Sequence, residues 1–189
     1  PEWETKKAGQ YFSHRKEKGK ELLPIYSVTI NNGMVLRSSF DRNFYDIKDP
    51  SGNKKVYKGD IAYNMMRMWQ GACGVASEDC LVSPAYVVLA PKECARSDFF
   101  YMFFKLHDSL QMLTAYSRGL TKDRLRLYFD DFSCMPIPAP GKDEQNKIAD
   151  ALFSLDELIA DQTRLIQSMN THKKGLMQQL FPSLEEDQA

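Results

Sequence analysis

The residues of this chain that suit contact with a charged ligand are basic and amide side chains in predicted loops. They form four groups: Asn31 with Asn32; Lys54, Lys55 and Lys58; Arg67 with Gln70; and Arg118, Lys122, Arg124 and Arg126 around Gly119. Cations neutralise phosphates, whereas Arg, Gln and Asn read base edges through paired hydrogen bonds. The pattern suits nucleic acid, but most clusters of Lys and Arg are simply solvated surface. Trp69 and its neighbouring methionines are more typical of a core than of a base-stacking site.

No sequence signature of an enzyme accompanies these groups. The chain lacks the phosphate-binding G-x-x-x-x-G-K-[ST] loop, a G-x-G-x-x-G turn and a G-x-S-x-G elbow. It also lacks the Asp-Pro-Pro-Tyr or Asn-Pro-Pro-Tyr segment of an amino-methyltransferase and the acidic pair with Glu-x-Lys of a nuclease. The sequence therefore predicts a component that binds without catalysing a reaction.

The cysteines and histidines are too scattered to predict a metal site. They are Cys73, Cys80, Cys94 and Cys134, with His14, His107 and His172. No C-x-x-C pair occurs, and without an export signal we expect buried, reduced thiols.

Composition indicates a globular chain with an uneven distribution of charge. The 189 residues are 43% hydrophobic and 26% charged, and no run of apolar residues is long enough to span a membrane. No secretory leader is visible, so a cytoplasmic location is expected. Residues 1–142 carry 21 basic and 16 acidic side chains, against 4 and 9 in residues 143–189. This split predicts regions with different partners, chance variation being the alternative.

Residues 1–140 alternate strand-like and turn-like segments, which predicts an α+β (mixed α/β) globular domain. The predicted strands are 22–30, 34–36, 60–66, 85–90, 124–128 and 134–138, and the predicted turns are 31–33 and 50–53. Ser97 is the predicted cap of a helix that runs to about Ser117. No strict βαβ repetition is present.

Residues 141–182 predict a long helix that forms a coiled coil. Prolines and Gly141 precede it, Asp143 suits its first turn, and Pro182 ends it. Steps of four and three residues mark the seam: Ile148, Leu152, Leu155, Ile159, Gln162, Ile166, Met169, Lys173, Leu176 and Leu180. A helix over 143–180 would be ~57 Å long, too long to bury its stripe against one small domain. We therefore expect a second long helix as partner, the alternative being an amphipathic helix folded onto its own domain; residues 183–189 are predicted to be a disordered tail.

Several stretches together resemble the specificity (S) subunit of type I restriction–modification systems. They are Lys-Gly-Asp-Ile-Ala-Tyr at 58–63, Leu-Val-Ser-Pro-Ala-Tyr-Val-Val at 81–88, residues 127–132 leading into Met-Pro-Ile-Pro-Ala-Pro at 135–140, Glu-Gln-Asn-Lys-Ile-Ala at 144–149, Leu-Asp-Glu-Leu-Ile at 155–159, and the ending 173–182. The opening residues 2–7 are also similar to the start of a target-recognition domain.

The resemblance implies a target-recognition domain that reads one half of a split double-stranded DNA site, followed by a conserved-region helix. A complete subunit holds two such units whose long helices pair antiparallel, so this chain is either half of a larger subunit or a half-subunit that dimerises. The implied partners are methylation (M) subunits that use S-adenosylmethionine and restriction (R) subunits that use ATP and magnesium. No cofactor is expected on this chain.

On this reading the basic groups acquire roles on DNA. Arg67, Gln70 and Arg124 are predicted base readers, whereas Lys54, Lys55 and Lys122 are predicted phosphate contacts. Arg118 is a further DNA-binding candidate, and Asn31 and Asn32 are weaker ones on their turn. The alternative function is an interaction adaptor whose acidic helix docks methylation subunits, with only incidental contact to DNA.

Overall fold

The computed structural model describes residues 3–20, 22–39 and 50–181. The chain comprises two compact units, Pro1–Ala149 and Asp150–Ala189. The first unit extends beyond the predicted domain end at residue 140 and takes in about two turns of the long helix. The tail predicted at residues 183–189 lies outside the described residues.

Strands and helices are mixed along the first unit, which confirms the predicted fold class. In the described ranges the strands are β1 (Glu4–Lys7), β2 (Phe12–Arg15), β3 (Tyr26–Val28), β4 (Met34–Leu36), β5 (Lys54–Val56), β6 (Ile61–Asn64), β7 (Cys73–Val75), β8 (Cys80–Val82), β9 (Tyr86–Pro91) and β10 (Pro136–Ala139). The helices are α1 (Ala8–Tyr11), α2 (Ser97–Phe103), α3 (His107–Ala115), α4 (Phe129–Cys134) and α5 (Lys142–Leu180).

The central sheet is antiparallel and has the strand order β2-β9-β6-β7. Its register pairs Arg15 with Val88 and Asn64 with Tyr86. The ends of β2 and β6 therefore lie beside the start of β9, at the edge where the loop between β6 and β7 begins. We call this edge the Asn64 end of the sheet.

The two faces of this sheet cover separate cores because successive strand residues point to opposite sides. Ile61 and Tyr63 of β6 and Leu89 of β9 face an aromatic core. Ala62 and Val88 face a smaller aliphatic core together with Val28, Val56 and Val82. A sheet buried on both faces explains why β6 and β9 read as almost continuous apolar runs.

Phenylalanine rings fill the aromatic core and attach the short helices to the sheet. Phe12, Phe100, Phe104 and Phe132 are almost completely buried. The Phe12 and Phe100 ring centroids are 5.0 Å apart, and those of Phe104 and Phe132 are 5.7 Å apart, both pairs edge to face. Such pairs add to the free energy gained by burying the rings.

The helix predicted over residues 97–117 is wrong as a single element, because the chain forms α2 and α3 with a break between them. The amides of Lys105 and Leu106 bond to the carbonyls three residues back, and Leu106 is extended, with ψ 146°. Ser97 does not cap α2, since its hydroxyl donates to the Gly59 carbonyl. Tertiary contacts thus override the local pattern.

Of the last two predicted strands, 134–138 is found as β10 with its bounds shifted by one or two residues, whereas 124–128 does not form a strand. In 124–128, strand-like contact is limited to a bridge between Arg118 and Arg126, and the next residues form α4. Strand β10 then pairs with β1, with Pro138 opposite Thr5 and Pro136 opposite Lys7. Prolines at alternate positions leave the intervening amides free for the ladder, so this strand tolerates them.

The long helix α5 is confirmed, with 39 residues, and its start is fixed by one buried amide. The Gln145 Nε2 atom donates to the carbonyls of Pro140 and Cys94 at 2.9 and 3.1 Å, and its Oε1 atom accepts the Arg96 amide at 2.9 Å. Gln145 is 1% exposed, and these bonds satisfy its buried polar atoms. The Glu-Gln motif therefore anchors the helix start to the first unit.

Replacement of Gln145 by alanine is expected to lower the free energy of unfolding by about 2 kcal/mol, because buried backbone groups lose their partner. Chemical denaturation of the full chain checks this. Gln167→Ala, at an exposed position of the same helix, is the matched control and should change stability by less than about 0.5 kcal/mol. Equal stability of the two variants would contradict the anchoring role.

Candidate nucleic-acid interface

The turn between β3 and β4 and the loop between β6 and β7 border a groove of about 340 Å³ at the Asn64 end. The groove is lined by Val28, Thr29, Ile30, Asn31, Asn32, Asn64, Arg67 and Ala72. The fold therefore brings together the predicted asparagine pair and Arg67, which are more than thirty residues apart in sequence. Gln70 lies in the same β6–β7 loop, within a 3₁₀ turn.

Thr29 fixes the shape of the β3–β4 turn. Its amide and its hydroxyl both donate to the Gly33 carbonyl, at 2.8 and 3.1 Å, and its hydroxyl oxygen accepts the Asn32 amide at 3.0 Å. Gly33 has φ 61°, a conformation that favours glycine. These bonds leave the side chains of Asn31 and Asn32 exposed on the turn.

The β6–β7 loop is closed by its own side chains. The Asn64 side-chain oxygen accepts the Met66 amide at 3.0 Å, and the Trp69 indole donates to the Met66 carbonyl at 3.0 Å. Met68 is fully buried, while Arg67 is exposed. Met68 is therefore a core residue and Trp69 braces the loop, whereas Arg67 points its charge toward solvent.

Lys105 links the two loops that border the groove through hydrogen bonds. Its ammonium donates to the carbonyls of Ile30 and Gly71, at 2.7 and 2.5 Å, and lies 5.1 Å from the centre of the Tyr101 ring. Burial lowers the pKa of Lys105. Since the ammonium joins both loops, their spacing is set before any ligand arrives.

Gly74 lets the same two segments approach closely. A side chain here would place its Cβ atom 2.3 Å from the Met34 backbone nitrogen and 2.7 Å from the Gly33 carbonyl carbon. Only glycine fits this contact between β7 and the β3–β4 hairpin.

Several side chains of the groove and of the loops that border it keep their hydrogen-bonding capacity for a ligand. Within the described residues, no hydrogen bond or ion pair engages the Arg67 guanidinium or the side-chain amides of Asn31, Asn32 and Gln70. A guanidinium and primary amides that converge on one groove can make the paired hydrogen bonds by which base edges are read.

A third loop, residues 118–126, lies next to the β6–β7 loop. Arg118 and Arg126 close it through reciprocal backbone hydrogen bonds, and the Leu127 amide donates to the Met65 carbonyl at 2.8 Å. Arg124 is exposed on this loop, and the side chain of Lys122 lies outside the description. The Arg118 Nε atom donates to Asp131 at 3.0 Å, which raises the pKa of Arg118 and offsets its charge.

The predicted lysines at 54 and 55 already contact protein groups. The Lys54 ammonium donates to the Tyr86 carbonyl at 2.6 Å, and its pKa is lowered by burial and by the nearby Lys16. The Lys55 ammonium lies 4.6 Å from the centre of the Tyr57 ring. Because an ammonium has three donors, Lys54 retains donors for a phosphate.

Sequence reasoning missed Asn64, Lys105 and a row of lysines just after β2. Nothing in the sequence distinguishes Asn64 or Lys105, because their roles depend on which loops meet. The row, by contrast, is visible in the sequence as His-Arg-Lys-Glu-Lys-Gly-Lys at 14–20.

All four cysteines are free, but only two are buried as predicted. Burial raises the pKa of Cys73 and of Cys80 to about 12, so these thiols stay protonated. Cys94 and Cys134 are exposed, which corrects the prediction for them. In the described ranges no group of three His, Cys, Asp or Glu side chains could hold a metal ion, and no helix there is both long and apolar enough to cross a membrane.

Sequence comparison finds relatives that are specificity subunits. The type I restriction enzyme HindI specificity subunit of Haemophilus influenzae is 25% identical over 161 residues, which cover 82% of this chain and 35% of the relative. The MjaVIII specificity subunit of Methanocaldococcus jannaschii is 25% identical over 191 residues, covering 95% of this chain and 42% of the relative. The chain thus spans well under half the length of these curated relatives.

Structural comparison finds the same fold in solved HsdS-type subunits. The HsdS subunit from Thermoanaerobacter tengcongensis superposes with a TM-score of 0.65 at 17% identity, over 100% of this chain and 52% of that one. The type I S subunit from M. genitalium gives a TM-score of 0.54 at 17% identity, over 97% of this chain and 46% of that one.

The family model described as "Type I restriction modification DNA specificity domain" matches residues 3–170, which is most of the chain. This agrees with the resemblance read from the sequence and, at the level of the family, with the prediction of a recognition component. The chain belongs to the type I restriction modification DNA specificity domain family.

Proposed function

We propose that this chain recognises one half of a bipartite double-stranded DNA target as the specificity component of a type I restriction–modification complex. The observation that carries the proposal is the groove at the Asn64 end in a domain of this family. Arg67, Asn31 and Asn32 converge there, and no side chain that the structure describes engages their hydrogen-bonding groups. Such groups suit direct readout of base pairs.

Three loops, rather than a helix, are the reading elements in this proposal. The tip of the β3–β4 hairpin is narrow enough for a major groove about 12 Å wide, which admits a two-stranded ribbon. Arg67 and Gln70 on the second loop and Arg124 on the third are the proposed base readers. The lysines at 54, 55 and 122 are the proposed phosphate contacts.

The wider complex follows from the relatives and is part of the same proposal. The curated relatives are more than twice as long as the matched region, which supports a second reading unit, from the same subunit or from a second copy of this chain. Methylation subunits with S-adenosylmethionine and restriction subunits with ATP and magnesium supply the chemistry, and this chain binds none of these cofactors.

The partner of the long helix is a second long helix in this proposal. Its predicted seam residues beyond Ala149 include side chains that are strongly exposed: Leu155 at 54%, Ile159 at 63%, Ile166 at 57% and Met169 at 62%. Gln162 and Lys173 interrupt the apolar seam, and polar groups at such positions fix register and partner. A stripe of this length and regularity matches the seam of a coiled coil.

Replacing Gln70 or Arg67 by alanine is expected to relax specificity at one base pair of the target, with a loss of ~1–3 kcal/mol of discrimination. The measurement is methylation mapping by the chain assembled with its methylation subunits, with a matched Gln10→Ala variant as control. Gln10 is an exposed amide on α1, and its loss should leave the methylated motif unchanged.

Loss of a base reader weakens binding to the target sequence in particular, whereas loss of a phosphate contact weakens binding to every duplex. If Gln70→Ala weakened binding to target and scrambled duplexes by the same factor, its assignment as a base reader would be wrong. If complexes that contain the wild-type chain also methylated DNA at no preferred motif, the proposed function itself would be contradicted.

Ile166→Glu is expected to weaken association of the long helix with its partner, because it places a charge in an apolar seam. Light scattering on the full chain, alone and mixed with a matching half-subunit, measures the assembled mass. Thr171→Glu adds the same charge to the opposite face of the helix by heptad position and is the matched control. A wild-type chain that stays monomeric in both conditions at tens of micromolar would refute the paired helix.

A further inference from the structure

The segment that follows β2 is an extended stretch fixed to the first unit by its backbone. The Lys55 amide donates to the Glu17 carbonyl at 2.9 Å, and the Gly19 amide donates to the Asn53 carbonyl at 2.9 Å. Lys18 forms an antiparallel bridge with Lys54. A side chain at Gly19 would bring its Cβ within 2.6 Å of the Pro50 carbonyl oxygen, so the segment lies close against its neighbour.

Lysines occupy every second position along this segment. Lys16, Lys18 and Lys20 are all exposed, and we call them the lysine row. Residues two apart in an extended chain lie on one side, about 6.6 Å from each other. Within the described residues, no hydrogen bond or ion pair engages these ammonium groups.

In the described part of the chain, two acidic groups near the lysine row are occupied by other partners. The Glu17 carboxylate accepts the Tyr57 hydroxyl at 3.1 Å. Asp60 is 2% exposed and binds the Arg15 guanidinium through two hydrogen bonds, of 2.6 and 3.1 Å. Carboxylates that are engaged elsewhere leave the positive charge of the row available to an anion.

The lysine row connects to the candidate groove through a short chain of contacts. Lys18 bridges Lys54, and the Lys54 ammonium bonds to the carbonyl of Tyr86. Tyr86 pairs with Asn64, which lines the groove beside Arg67. The row therefore leaves the sheet at its Asn64 end, the same end at which the reading loops lie.

We propose that the lysine row binds the sugar–phosphate backbone of the duplex whose bases the groove reads. This rests on the proposed function and adds to it a contact that does not depend on the base sequence of the DNA. Phosphates along one strand advance by about 3.4 Å per nucleotide, so a row of long, flexible ammonium side chains can follow one strand. Backbone contacts of this kind fix the register and orientation of a protein on DNA.

The test is the salt dependence of binding by the full chain with Lys16→Gln, Lys18→Gln and Lys20→Gln combined. The probe is a labelled mixed-sequence duplex of about 30 base pairs, close to three helical turns. Affinity is measured between about 50 and 200 mM salt. The slope of log affinity against log salt should become shallower by about 1 for each phosphate that the variant no longer neutralises.

A matched control removes the same charge from other exposed lysines. The combined Lys7→Gln, Lys147→Gln and Lys174→Gln variant should keep the wild-type slope. Arginine at positions 16, 18 and 20 should keep it as well, because the charge is retained. If the combined glutamine variant failed to fold, each single substitution would be measured instead, with an expected change of about 1.

The outcomes separate the two proposals. The lysine row would be overturned if the wild-type slope were steep and the row variants did not change it. It would also be overturned if the control variant made the slope shallower by the same amount. Either result would leave the proposed function standing. A wild-type chain that binds the duplex without salt dependence would overturn the proposed function and the row with it.

Discussion

The candidate site depends on a half-buried ammonium group that needs partners. An ammonium removed from water is costly unless hydrogen bonds replace its hydration. The Lys105 ammonium finds two backbone carbonyls, one in each of the loops that border the groove. Moving either loop away would break a hydrogen bond of this half-buried charge, which costs free energy. The same hydrogen bonds therefore keep Arg67 near Asn31 and Asn32.

Sheet register places the remaining candidates around this pair of loops. Antiparallel pairing fixes Asn64 opposite Tyr86, and burial on both faces of β6 and β9 prevents a one-residue slip, which would exchange the two cores. The Lys54 bond to Tyr86 and the bridge from Lys54 to Lys18 then follow from the same register. One pairing thus positions contacts that come from distant parts of the sequence.

The sequence predicted those features that depend on local chemistry and missed those that depend on long-range contact. Apolar runs identified β6 and β9, and heptad spacing identified α5 within one residue of its start. The helix break before His107 could not be predicted, because it depends on where Phe104 and Lys105 find partners in the core and loops. Among the candidate site residues, chemistry alone selected Arg67 and the asparagines, whereas Asn64 and Lys105 needed the fold.

The proposed division between loops and lysine row also explains how a chain with zero net charge can suit DNA. Acidic side chains outnumber basic ones by 9 to 4 in residues 143–189, and Asp60 is paired with Arg15, so charge balance over the chain does not describe the Asn64 end. Contacts to phosphates strengthen binding to every sequence equally, and discrimination comes only from groups that meet base edges. A domain that keeps these functions on separate segments can change its reading loops without losing its hold on the duplex, which is the physical condition for one fold to serve many target sequences.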